Sequence, residues 1–204
     1  MIPYCIDKWE KNKSKLQDDI KENPAWKTCD YLYLVKKVIT IVLNDGMEEC
    51  PVSAEMPSQI RNGTQPEWNP ERITQINDGK YQGTLLYLVP RSEDSPSACD
   101  YLMGFLEYGS CTLCDTLERI QYEGYTDHTV PYEDYLRQKC TKTQVRDFMT
   151  LCRDFICSMI KPYNHGWRSD PAFDIIKERH SASHLPFVKT IAKIVACFRR
   201  ISPS

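Results

Sequence analysis

The chain has 204 residues, enough for one full hydrophobic core, and its 41% apolar and 26% charged content is that of a folded globular protein. A formal net charge of -2 gives too weak a field to draw nucleic acid to the whole surface, and too little acidity for a nucleic-acid mimic. No run approaches the ~20 apolar residues that span a bilayer; the longest, 31–43, is interrupted by Lys36 and Lys37.

Taken in chain order, residues 1–45 are expected to be helical. Cys5, Trp9, Leu16 and Ile20 recur at helical spacing until Asn23-Pro24 closes the segment. Thr28 is placed to cap a second helix over 29–43, which stops at Asn44-Asp45-Gly46 and is apolar on more than one face. Residues 46–71 hold four prolines and few periodic apolar positions, and read as an exposed irregular loop. Three strands follow, over 72–76, 81–89 and 100–108, separated by Asn77-Asp78-Gly79 and by a polar segment over 91–98. Their short connections predict an antiparallel meander with helices against one face.

Beyond the sheet, a helix is expected from 112 to about 122, and 123–204 is read as a helical part. A short helix can start at Tyr132, and the clearest one runs over 142–160 behind a Thr141-Lys142-Thr143-Gln144 capping box. Its apolar stripe is Val145, Phe148, Met149, Cys152, Phe155, Ile156, Met159 and Ile160. Asp170-Pro171 opens a short helix, and a last one over 186–201 carries Lys189, Lys193, Arg199 and Arg200 beside an apolar face. The fold class expected is α+β, as a single domain over 1–204 with its sheet and Cys-x-x-Cys helix in 72–122.

Ten cysteines are many for a chain that shows no secretory signal near its start. Cys5, Cys29, Cys140, Cys152, Cys157 and Cys197 fall in or beside helical patterns, where reduced cysteine behaves as a small buried apolar residue. Cys111-Thr112-Leu113-Cys114-Asp115 differs, since it stands where a strand ends and a helix begins. A Cys-x-x-Cys pair in that place can be a redox dithiol, and thioredoxin-like enzymes share the strand, Cys-x-x-Cys, helix order. The alternating βαβ pattern of those enzymes is absent, Val130-Pro131 does not lead into a strand, and Asp115 opposes a thiolate beside it. Zinc is the other reading: Cys111, Cys114, His180 and His184 make a formally correct ligand set with a gap unlike that of a finger. The favoured reading is a structural corner made with half-buried thiols. No hydrolase, phosphate-loop or dinucleotide signature occurs. The basic residues Lys189, Lys193, Arg199 and Arg200 are the binding candidates, for protein or nucleic acid.

The stretch from Asp78 to Leu86, then Asp100-Tyr101-Leu102, then Tyr108-Gly109-Ser110-Cys111-x-x-Cys114-Asp115-x-Leu117, resembles a family of small uncharacterised bacteriophage and prophage proteins. Asp147 to Cys152 resembles the helix that follows in that family, so the likeness covers roughly residues 72–160. It implies a mobile-element origin and a site of action in the host cytoplasm, with no catalytic residue to carry over. From this and the absence of a catalytic signature comes the expected function. It is a non-enzymatic accessory protein that binds and modulates a host machine, such as an anti-defence or anti-CRISPR-like inhibitor, with a host protein or ribonucleoprotein as partner. Thiol-redox or zinc chemistry at Cys111 and Cys114 is the alternative.

Overall fold

A computed structural model describes residues 3–47, 66–77, 79, 82–93, 96, 100–111, 114–125 and 130–160. Within them the chain forms α1 (Pro3–Glu22), α2 (Tyr31–Val38), β1 (Thr74–Asn77), β2 (Gly83–Pro90), β3 (Tyr101–Tyr108), α3 (Thr116–Tyr122), α4 (Tyr132–Leu136) and α5 (Lys142–Ser158). The strands make one antiparallel sheet in the order β1-β2-β3, with Ile76 opposite Leu86 and Leu86 opposite Phe105. This is the expected α+β meander. No helix among the described residues is long and apolar enough to cross a membrane.

The alternation of strand side chains divides the sheet's two faces. Leu85, Tyr87, Val89, Leu102 and Leu106 join the main core with the helices, whereas Leu86, Leu88 and Met103 form a second cluster with Ile76, Tyr101, Phe105 and Ile160. Strand β2 is therefore buried along nearly its whole length. Helix α5 lies at the centre of the helical layer, against α1, α2, α3 and β3. Its N-terminus carries the expected capping box: Gln144 N donates to Thr141 Oγ1 at 3.2 Å, and Thr141 N to Gln144 Oε1 at 3.0 Å.

At its far end α5 stops at Ser158, two residues before the expected limit. Ser158 Oγ accepts from Phe105 N at 2.9 Å, and Ile160 exchanges backbone hydrogen bonds with Met103 at 2.8 and 2.9 Å. Pairing with the open side of β3 thus offers Ile160 better backbone partners than another helical residue would have. In the core, Trp26 packs edge-on against Tyr33 and Phe148 and donates Nε1–H to Asp19 at 2.8 Å. Trp9, Trp26 and Trp68 are all buried.

The second helix begins later than the sequence suggests. Asp30, not Thr28, is its N-cap, accepting from Tyr33 N at 2.7 Å; Thr28 closes a 3₁₀ turn over Pro24–Lys27. The carboxylate is the stronger acceptor for exposed helical N–H groups. After Val38 the helix widens into a π-helical stretch, Ile39–Leu43, ending as expected at Asn44, Asp45 (φ 58°) and Gly46 (φ 86°). Asn12 of α1, fully buried, donates to the Val42 carbonyl at 2.9 Å and to Asp45 at 2.7 Å. The looser helix end is thereby satisfied by a side chain from another element.

The loop expected over 46–71 is not exposed throughout. Residues 48–65 lie outside the described set, but Pro66, Trp68, Asn69 and Pro70 are buried. Asn44 reads the Trp68 backbone twice, donating to its carbonyl at 2.7 Å and accepting its N–H at 3.0 Å, while Asn69 N donates to Pro90 O at 2.9 Å. Polar backbone satisfied in this way can accompany an indole into the core. A 3₁₀ turn over Pro70–Arg72, capped by Asn69, takes in Arg72, the first residue expected in β1, and the strand starts at Thr74.

A Cβ added at Gly104 would stand 2.6 Å from Cε2 of the buried Phe155, whose ring is held edge-on by Tyr87. Gly104→Ala is expected to cost about 1–3 kcal/mol in urea unfolding, and Phe155→Leu in the same chain to recover part of that loss. Hydrogen bonds from Lys8, first, then Asn12 and Lys11 hold the Asp45 carboxyl well below the usual carboxylate range. An unfolded aspartate titrates at about 3.9, so this stabilisation is complete above that value and fades as pH falls below it towards the folded pKa. Asp45→Asn should lower the melting temperature at pH near 7, and the gap from the parent protein should narrow steadily on acidification.

Candidate functional site

The corner between β3 and α3 is built round one carboxylate. Asp115, buried, accepts from Glu118 N at 3.0 Å as the N-cap of α3 and from Gly109 N at 3.1 Å at the end of β3. It also accepts from the Tyr31 hydroxyl of α2 at 3.0 Å, and that hydroxyl in turn accepts Leu117 N–H at 3.3 Å. Burial, with the Asp115 charge next, pushes the Tyr31 phenol far above its ordinary pKa, so it stays a donor at all physiological pH. The Cys111 carbonyl accepts from Cys114 N at 2.8 Å and Asp115 N at 2.7 Å, closing the turn. Gly109 fits because a Cβ there would lie 2.3 Å from the Cys114 carbonyl carbon.

The helix therefore starts at Thr116, after its cap, and not at residue 112. Cys111 and Cys114 are both exposed, where half-buried thiols were expected: the corner turns its backbone inward on Asp115 and its sulfurs outward. The sulfurs lie 2.7 Å apart, and their hydrogen bond is the first cause of a raised Cys114 pKa. Of the other helical cysteines, Cys5, Cys29, Cys140 and Cys152 are buried, Cys157 is half-buried, and Cys197 lies outside the described residues. His180 and His184 lie outside them too. Among the described residues no group of three or more metal-ligating side chains gathers at the pair or elsewhere.

A second polar centre joins α3, α4 and α5. Gln144, fully buried, shares its Nε2 among Ile120 O at 3.0 Å, Gln121 O at 3.2 Å and the Tyr135 hydroxyl at 2.9 Å. The buried Lys27 donates to Tyr135 O at 3.1 Å with its ammonium 3.9 Å from the Tyr135 ring centroid. Burial lowers its pKa. Tyr122 and Tyr132, both exposed, stack at 5.7 Å over this centre, with Tyr125 edge-on to Tyr132 at 5.1 Å.

Between α1 and α5 runs an open groove of about 680 Å³. Trp9, Cys140, Val145 and Met149 line its floor, and Lys21, Lys142, Arg146 and Arg153 its rim, with no carboxylate among the described lining residues. Lys21 and Arg146 have acidic neighbours, Glu22 at 3.5 Å and Asp147 at 2.8 Å. Lys142 and Arg153 form no ion pair among the described residues.

Sequence reasoning marked the corner but missed this groove. Its signal is present in α5, where Lys142, Arg146, Met149 and Arg153 recur at four-, three- and four-residue steps beside the apolar stripe. The basic residues that were singled out, Lys189, Lys193, Arg199 and Arg200, lie outside the described residues. Compared with protein-family models, with curated proteins and with solved structures, the chain matches none.

Replacing the central carboxylate tests the corner. Asp115→Ala is expected to lose about 2 kcal/mol in urea unfolding followed by circular dichroism. Asp115→Asn, which keeps an acceptor oxygen, should lose less.

Proposed function

We propose that this chain is a non-enzymatic accessory protein of a mobile genetic element that binds a host machine in the cytoplasm and modulates or inhibits it, as an anti-defence or anti-CRISPR-like protein would. The mobile-element origin rests on the resemblance of the Tyr108–Leu117 motif and its neighbours to phage proteins. Docking is supported by one observation above others, the α1–α5 groove with its apolar floor and its rim of four cations. Its Lys142 and Arg153 charges, having no ion-pair partner among the described residues, are free to meet carboxylates from outside. An acidic segment with one apolar side, presented by a partner protein, matches both the floor and the rim.

Aromatic residues add little docking surface, because Trp9, Trp26 and Trp68 are in the core. Exposed aromatic area among the described residues is concentrated at Tyr122 and Tyr132. The motif residues Asp115 and Leu117 build the corner and, being buried, contribute no docking surface of their own.

A tagged protein expressed in the host is expected to retain a partner from lysate. The double variant Lys142→Glu/Arg153→Glu, with unchanged unfolding, should retain it about tenfold less or worse and should leave the host machine working. Capture undiminished by the variant would remove the groove from the reading. No captured partner, together with full host defence, would remove the function itself. A log–log salt slope as steep as that of phosphate binding would indicate nucleic acid in place of an acidic protein segment.

A further inference from the structure

We propose that Cys111 and Cys114 form a reversible oxidation site, a surface dithiol that exchanges with low-molecular-weight disulfides such as glutathione disulfide and closes to an internal disulfide. Three independent observations on the corner carry this. The two sulfurs are 2.7 Å apart, so joining them requires only a small approach to roughly 2.05 Å. Both are exposed, whereas Cys5, Cys29, Cys140 and Cys152 are buried. The corner's backbone is also held without help from sulfur, by Asp115 on Gly109 and Glu118, by Tyr31, and by the Cys111 carbonyl. A bond between the sulfurs can therefore form and break on a frame that stays in place.

Burial separates Cys29, Cys140 and Cys152 from this pair. Burial pushes the Cys29 thiol up to about 12 and raises Cys140 and Cys152 as well, which keeps them protonated and inert. Cys114 is raised for a different reason, its hydrogen bond with Cys111. Once the pair gives up one proton, the remaining S–H is in position to donate to the thiolate.

The exchange has two steps. One thiolate of the pair attacks a sulfur of glutathione disulfide, forming a mixed disulfide and expelling one glutathione thiolate. The second cysteine loses its proton, attacks its neighbour's sulfur and expels the second glutathione. Two protein thiols and one glutathione disulfide become one protein disulfide and two glutathiones, with two electrons and two protons transferred. Because the second step is intramolecular between adjacent atoms, the mixed disulfide does not accumulate.

The test equilibrates the full chain in glutathione buffers of stepped oxidised-to-reduced ratio, then quenches, alkylates and maps the cysteines by mass spectrometry. Cys111 and Cys114 are expected to lose alkylation together at one midpoint, with the intact mass lower by two hydrogens and the buried cysteines unchanged. Cys111→Ser and Cys114→Ser should each accumulate a glutathione adduct on the remaining cysteine at least about tenfold above the parent chain. A pair that stays alkylatable at every ratio would overturn the proposal, as would a stable glutathione adduct on the parent chain. Thiols that resist alkylation until a chelator is added would overturn it in favour of a metal site. Lys142→Glu/Arg153→Glu should leave the midpoint where it is, so this inference and the groove reading fail separately.

Discussion

The geometry of the sheet-to-helix junction depends on the buried Asp115 carboxylate. Its two oxygens collect N–H groups from the first residue beyond β3 and from the first turn of α3, and a hydroxyl from α2. A donor of this kind that is buried and left unpaired costs about 1–3 kcal/mol. One side chain thus fixes where a strand stops, where a helix starts, and which helix they both lean on. The sulfur pair owes its position to this arrangement, because Gly109 lets the Cys114 backbone pass close to the strand end and the cysteine side chains are left on the outside.

Local signals in the sequence carried much of the fold. The Thr141–Gln144 capping box, the periodic stripe of α5 and the meander all depend on residues near one another in the chain. What was hidden depends on distant partners. Nothing near Asn12 announces that it will satisfy a helix end thirty residues on, and nothing near Trp68 announces that Asn44 will escort its backbone into the core. Thr28 and Asp30 are both plausible caps by type, and which one serves is decided by the 3₁₀ turn before them. For the site, Cys-x-x-Cys was visible but not the side on which it faces, since a corner's inside and outside are set by the carboxylate that follows it. The groove was harder still, because Trp9, Gln17 and Lys21 of its lining come from α1 and the rest from the far end of the described chain.

The two surface features have different chemical characters. The groove joins hydrocarbon to fixed positive charge, which suits recognition; the dithiol is small, soft and covalently reversible. Both are attached to rigid parts of the molecule, α5 through its capped N-terminus and the dithiol through Asp115. Gln144 contributes to that rigidity, because a single buried amide ties the end of α3, the hydroxyl of Tyr135 and the start of α5 into one unit.

The way the chain leaves α5 also bears on how the molecule behaves in a crowded solution. By pairing with Met103, Ile160 occupies part of the backbone row that β3 would present to another chain. The opposite margin of the sheet, β1, is only four residues long and is mostly exposed Thr, Gln and Asn. A short polar margin on one side and a partly occupied one on the other give a foreign strand little to template on. Sheet-to-sheet aggregation is thereby resisted by backbone pairing and strand length, without calling on the protein's small net charge.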